Sequence, residues 1–150
     1  MIKVRKGRPS DVNTIVGFQL RMAWETEEIH LDKATVRRGV RAVFRDPSKG
    51  CYWMAEEDGH PVGVTLVLPE WSDWRNGAVL WIHSVYVVPE ARRRGVFRTL
   101  YRHLRRRVKK SPRLKGLRLF VDKSNRRAHK VYQALGMSKD HYHLYEWLDR

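Results

Sequence analysis

The chain has 150 residues, and 31 Lys and Arg against 16 Asp and Glu give a formal net charge of +15. This length suits one domain over residues 1–150, and the single cysteine, Cys51, excludes an intramolecular disulfide framework and fits a reducing cytoplasm. Because no apolar run is long enough to span a bilayer and the N-terminus lacks the apolar core of a signal peptide, we expect a cytoplasmic chain with no membrane partner.

The first half of the chain shows strand-like alternation and helix-like spacing of its apolar residues in separate segments. In order, the patterns predict a strand at 3–8, helices at 10–24 and 33–44, and strands at 52–56 and 61–68. Residues 69–77 then read as a polar, tryptophan-rich connection to a long strand at 78–88.

The long strand ends at Pro89 and is followed by Arg92, Arg93, Arg94 and Gly95, where a helix starts. The first amides of a helix have no intrahelical partner and carry partial positive charge. A glycine lets a phosphate approach the backbone, and arginines add charge. The segment therefore predicts a site for an anionic, phosphate-bearing ligand, although it matches neither the Walker loop nor the dinucleotide fingerprint.

The helix after this loop is strongly basic. Its apolar residues fall on one face, at Phe97, Leu100, Tyr101, Leu104 and Val108, and its Arg and Lys mostly fall outside it. A solvated amphipathic helix that also attracts an anionic ligand is favoured over nucleic-acid contact, because the sequence has no helix-turn-helix, zinc-knuckle or RNP pattern.

A second informative segment follows a strand predicted at 117–122. Asn125 is a good helix N-cap, Gly136 suits the position after a helix end, and Ala128, Val131 and Tyr132 lie on one face between them. The alternating residues of 142–148 predict a last strand.

The two segments resemble the two motifs of the GNAT N-acetyltransferases. The first is Arg92-x-x-Gly95-x-Phe97, where relatives carry Gly or Ala at the last position, and the second runs from Asn125 to Gly136. The resemblance implies an α+β fold with a mixed, mostly antiparallel sheet flanked by helices. It also implies direct transfer of an acetyl group from acetyl-CoA to an amine in a ternary complex.

The resemblance also implies which residues bind the cofactor. Backbone groups of the long strand pair with the pantetheine arm, and the loop and helix start hold the phosphates. The implied residues are Val85, Val87, Arg92, Arg93, Arg94, Gly95, Phe97, Arg98 and Asn125. For Asn125, helix capping alone is the alternative.

Two side chains are the catalytic candidates. By resemblance, Tyr132 protonates the departing thiolate, and a phenol has a pKa close to that of a thiol. Many relatives place a Glu base where this chain has Trp81, which cannot accept the proton. His83 lies two residues further along the same strand face, and imidazole titrates near neutral pH. For both residues, packing in the core is the alternative.

The acceptor site is expected where carboxylates stand beside aromatic rings, because this combination attracts a cationic amine. Two segments meet that description, one joining the first two helices and one preceding the long strand. The candidate residues are Glu25, Glu27, Glu28, Trp71, Asp73 and Trp74. A solvated loop, core tryptophans or a dimer contact are the alternatives.

Three functions remain open from the sequence. An acetyltransferase for a small amine is favoured, and a closed tryptophan-lined pocket would fit it. An open groove would favour acetylation of a protein N-terminus or lysine. The substitution at Trp81 and the charge of +15 leave a non-catalytic acyl-CoA sensor or nucleic-acid-binding module as the third. We expect no metal ion, because no metal-ligand spacing occurs, and a homodimer stays open.

Overall fold

The structure is a computed structural model that describes residues 1–149. Its elements in chain order are β1 (Ile2–Lys6), α1 (Val12–Glu27), α2 (Lys33–Arg45), β2 (Cys51–Glu57), β3 (His60–Ser72), β4 (Gly77–Val87), α3 (Val96–Lys110), β5 (Leu114–Leu119) and α4 (Arg126–Ala134). Single 3-10 turns, each opened by a proline, precede α1, β2 and α3. The chain forms two compact units, Met1–Phe120 and a smaller one that begins at Val121.

The five strands form one mixed sheet in the order β1-β2-β3-β4-β5. Neighbouring strands from β1 to β4 are antiparallel, and β5 runs parallel to β4 after the crossover through α3. The sheet is therefore mostly antiparallel and is flanked by helices, as expected. Among residues 1–149, no helix has both the length and the apolar character needed to cross a bilayer.

Within the larger unit, the two faces of the sheet carry different helices. Tyr52, Met54, Val64 and Tyr86 belong to a buried core cluster with residues of α1 and α2. Trp53 points to the opposite face, where its ring lies 4.5 Å from that of His103 on α3. We call the first face, which α1 and α2 cover, the α1/α2 face.

Several predicted elements differ from the structure. α1 continues to Glu27, so Glu25 and Glu27 belong to a helix and not to a connection between helices. β3 continues to Ser72, because Glu70 and Trp71 still pair with Val79 and Ala78, so Trp71 belongs to a strand and not to a connection. β5 begins and ends three residues earlier than predicted, at Leu114 and Leu119.

The strand predicted at 142–148 is wrong. The described residues of this segment have no regular secondary structure, and the large apolar side chains in it are exposed. Alternation alone predicts a strand only where a ladder partner supplies the hydrogen bonds, and no described strand pairs with this segment.

Candidate active site

β4 and β5 separate part-way along their length. Their ladder ends at the pair Ile82–Leu119, whereas β4 continues to Val87. On its other edge β4 stays paired with β3 as far as Val87. Residues 83–87 therefore border an opening between the two strands.

The backbone of Val87 is directed into this opening. The Val88 amide donates to the Val62 carbonyl at 3.0 Å, so Val88 faces β3 and its neighbour Val87 faces away. Accordingly the Val87 carbonyl accepts a hydrogen bond from Nε of Arg92 at 2.9 Å. Val85, two residues before Val87, alternates to the same side.

A β-bulge lies at the start of the opening. Leu66 pairs with His83 and Val64 with Tyr86, so two residues of β4 oppose the single residue Thr65. Ser84 takes a left-handed conformation with φ of 52°. The fully buried Thr65 hydroxyl donates to the His83 carbonyl at 3.1 Å, which satisfies an acceptor at the bulge.

The loop before α3 fits a phosphate-bearing ligand. Gly95 has φ of 81°, a conformation that glycine adopts without strain, and a Cβ at this position would meet no atom within 4 Å. The Thr99 amide is the first of α3 to bond backwards, to the Gly95 carbonyl. Among residues 1–149 the amides of Arg94, Gly95 and Val96 make no backbone hydrogen bond, so they can receive anionic oxygens.

The arginines of the loop differ in their partners. Arg92 forms an ion pair with Glu25, and Arg94 forms one with Glu57 at 2.6 Å. Arg93 and Arg98 are exposed and make no ion pair with any other described residue. The positive charge that stays open to an anion is therefore that of Arg93 and Arg98.

α3 is the amphipathic helix that the sequence predicts. Leu100, Tyr101 and Leu104 are buried, and the basic residues of the helix are exposed. Phe97 is half-buried, and its ring centroid lies 6.3 Å from that of Tyr101, so this departure from the family motif packs along the helix.

Glu25 lies at one end of the opening, where the end of α1 meets β4. Its Oε1 accepts a hydrogen bond from the Tyr86 hydroxyl at 3.0 Å, and its Oε2 pairs with Arg92. Burial opposes ionisation of Glu25, but the hydrogen bonds from Arg92 and Tyr86 outweigh it and hold its pKa below the usual range. Glu27 and Glu28 are exposed at the end of the helix.

His83 is exposed on the α1/α2 face, because it pairs directly with Leu66, which packs against the core of that face. Its Nδ1 shares a hydrogen bond with the Ser84 hydroxyl at 2.9 Å. Trp81 lies on the same face, and its indole N–H donates to the carboxylate of Glu70 on β3.

The structure does not bring Trp71, Asp73 and Trp74 together with His83. They lie at the β3–β4 hairpin, where Trp71 pairs with Ala78, about 17 Å along β4 from His83. Trp71 also falls on the opposite face from Glu70 and His83. Trp74 is 91% exposed.

Asn125 and Tyr132 belong to the smaller unit. The Asn125 side chain accepts a hydrogen bond from the Ala128 amide at 3.1 Å, which confirms that it caps α4. Tyr132 is half-buried, and burial raises the pKa of its phenol above the ordinary value.

The family model described as the acetyltransferase (GNAT) family matches residues 12–137. The chain belongs to this family of acyltransferases. The enzymes of this family are acetyltransferases, and the family uses amine-bearing acceptors.

Solved structures agree with the assignment. A possible acetyltransferase from Clostridium difficile 630 is 37% identical, with a TM-score of 0.93 over 100% of this chain and 99% of that chain. An aminoglycoside N-acetyltransferase, AAC(6')-Iy, solved in complex with CoA, shares the fold at 15% identity, with a TM-score of 0.79 over 99% of this chain and 95% of that chain. No curated protein sequence matches this chain significantly.

The structure of this GNAT enzyme adds residues that sequence reasoning did not select. Thr65 ties the bulge, Tyr86 binds Glu25, and Glu70 binds Trp81. Each of these three residues contacts a different strand or a helix. A pattern of neighbouring residues in the sequence therefore does not predict its role. Within residues 1–149, no group of His, Cys, Asp and Glu is arranged to hold a metal ion.

Proposed function

We propose that this GNAT enzyme transfers the acetyl group of acetyl-CoA to a primary amine of a small molecule, by direct attack within a ternary complex. The observation that carries this proposal is the opening between β4 and β5, which has the backbone of Val87 on one side. The loop before α3, with its unpaired amides, follows directly after it.

Each part of this surface has a binding role. Backbone groups of Val85 and Val87 bind the pantetheine arm, and the amides of residues 94–96 bind the phosphates together with Arg93 and Arg98. Arg92 moves from Glu25 toward the phosphates, Arg94 adds charge, and Asn125 contributes from the start of α4. Phe97 supports the loop from within α3.

The chemistry requires charge stabilisation and two proton transfers. Bound acetyl-CoA supplies the acetyl group as a thioester, which is open to attack by a neutral amine. A β4 amide directed into the opening donates to the thioester oxygen as negative charge develops on it. His83 accepts the amine proton, directly or through water. Tyr132, whose phenol carries its proton at neutral pH, donates to the leaving sulfur.

One observation favours a second candidate. His83 is exposed, and Trp71 and Trp74 do not close a pocket around it. An open face of this kind also admits the N-terminus or a lysine side chain of a protein. Protein acetylation is therefore the alternative to a small amine.

The proposal is tested by thermal unfolding with CoA and acetyl-CoA, followed by release of free thiol in the presence of amines or lysine peptides. A ligand at about 100 times its Kd stabilises by about 2.7 kcal/mol, or about 5–10 °C for a domain of this size. Gly95→Val, which forces a β-branched residue to φ of 81°, should remove the shift. Binding without turnover of any amine would contradict the proposal, and turnover of peptides alone would select protein acetylation.

A further inference from the structure

The α1/α2 face continues past His83 onto a row of side chains from three strands. Trp81 on β4 donates its indole N–H to Glu70 on β3. From the β5 side, the Phe120 ring stacks on Trp81 with centroids 4.5 Å apart and planes inclined by 26°. The Arg118 guanidinium lies 6.0 Å from the Trp81 centroid.

Glu70 is an exposed carboxylate without a cationic partner among residues 1–149, in a protein with a net charge of +15. Its hydrogen bond from Trp81 fixes the carboxylate beside an aromatic ring without neutralising it. A fixed carboxylate next to an indole attracts an ammonium group by ion pairing and by cation–π contact. Arg118 belongs to β5, which lies on the other side of β4 from β3, and it forms no ion pair with Glu70.

The spacing along β4 relates this row to the reaction. Trp81 and His83 pair with Leu68 and Leu66 of β3, so they are two residues apart on one face. Side chains at this separation stand about 7 Å apart. An amine that loses its proton to His83 therefore has a second anchoring point about 7 Å away.

We propose that Glu70 and Trp81 form a subsite for a second positive charge on the acceptor, and that the acceptor is a small diamine. This inference rests on the proposed function, because it takes His83 as the place where the reacting amine loses its proton. One nitrogen is acetylated at the opening between β4 and β5. The other stays protonated against Glu70 and the ring of Trp81.

Cadaverine and pentylamine test the proposal, because they have the same chain length and differ by the second nitrogen. Thiol release with saturating acetyl-CoA gives kcat/KM for each amine, and calorimetry gives their binding to the full chain without turnover. We expect the wild type to prefer cadaverine by about tenfold, after correction for its two equivalent nitrogens. The preference should lie in KM and weaken with salt.

Glu70→Gln should remove most of this preference, and Trp81→Phe should reduce it by freeing the carboxylate. Asp58→Asn is the matched control, because it removes one exposed carboxylate at the β2–β3 turn and should keep the preference. Equal kcat/KM for the two amines in the wild type would overturn the subsite while the proposed function stands. Glu70-dependent cadaverine binding without turnover would keep the subsite and overturn the proposed function.

Two further results would also decide the matter. A preference for cadaverine that survives Glu70→Gln would overturn the assignment of the subsite. Failure of both amines to bind or react, with turnover of lysine peptides alone, would overturn the diamine and leave the exposed face to a protein acceptor.

Discussion

Two carboxylates stand on the α1/α2 face on either side of His83, and they are bound in different ways. Glu25 is held by Arg92 and by the Tyr86 hydroxyl, so its charge is neutralised. Glu70 is held by the neutral indole of Trp81 alone among the described residues. Glu25 therefore joins two parts of the protein, whereas Glu70 keeps its charge for a ligand.

The difference has a physical origin in the partners. A guanidinium both hydrogen-bonds and neutralises a carboxylate, whereas an indole N–H orients it and leaves the charge in place. Glu25 consequently links α1 to the loop before α3, on the side proposed to bind the cofactor. Glu70 leaves negative potential on the side away from the cofactor.

The largest effect is expected from substitution of His83, which lies between the two carboxylates. His83→Ala should lower kcat/KM by about 10²- to 10⁴-fold near neutral pH, because the ammonium form of the acceptor has lost its proton acceptor. The loss should shrink as the pH approaches the pKa of the amine, where the neutral amine becomes abundant. Thiol-release rates across pH measure both effects, with His60→Ala as the control at the β2–β3 turn. A uniform loss at every pH would contradict the base role.

Arg92→Ala removes the cationic partner of Glu25. It removes a charged donor from the cofactor loop, and hydrogen bonds to charged groups contribute about 1.5–3 kcal/mol. We expect CoA affinity to fall by about tenfold or more in calorimetry, whereas Arg75→Ala, at the distant hairpin, should not change it. Unchanged affinity would show that Arg92 serves Glu25 alone.

Glu25→Gln should change how stability depends on pH. The folded-state pKa of Glu25 lies below its ordinary value near 4.5, so its contribution is present above that value and is lost as the pH falls through the lowered pKa. The variant should be less stable than the wild type at neutral pH, and the difference should shrink as the pH falls below the ordinary pKa of a glutamate. Urea unfolding across this range measures the gap, with Glu27→Gln as the control. A gap that does not change with pH would refute the account.

The smallest effect is expected from Tyr86→Phe, which removes one hydrogen bond to Glu25 and keeps the ring. The cost should be about 0.5–1.5 kcal/mol, which lowers Tm by about 2–5 °C in a domain of this size. Differential scanning calorimetry measures it. Tyr145→Phe, at a side chain that is 94% exposed, should leave Tm unchanged.

The sequence predicts the strand, loop and helix start of the proposed cofactor side well, because they are built from consecutive residues. The end of β4, the loop with Gly95 and the start of α3 lie within a few positions of one another. The direction of each backbone amide in this segment is fixed by the strand or the helix to which it belongs. Asn125 likewise caps α4, the helix that begins at the next residue.

The acceptor side could not be predicted in the same way. Glu25 meets Arg92 across 67 positions, and Glu70 meets Trp81 across the β3–β4 hairpin. The sequence shows that both regions are acidic and aromatic. Only the register of β3 against β4 shows that Glu70 lies on the same face of the sheet as His83 and that Trp71 lies on the opposite face.

The bulge in β4 decides which side of the strand its site residues occupy. His83 and Tyr86 are three positions apart, an odd number that would put them on opposite sides of a regular strand. The additional residue opposite Thr65 returns both to one side. Removing one residue at Ser84 or Val85 would leave them two positions apart, so a regular strand would still carry both on one side, opposite Leu66 and Val64. Such a deletion should therefore keep the facing of His83 and Tyr86 and remove the irregularity with which the opening begins.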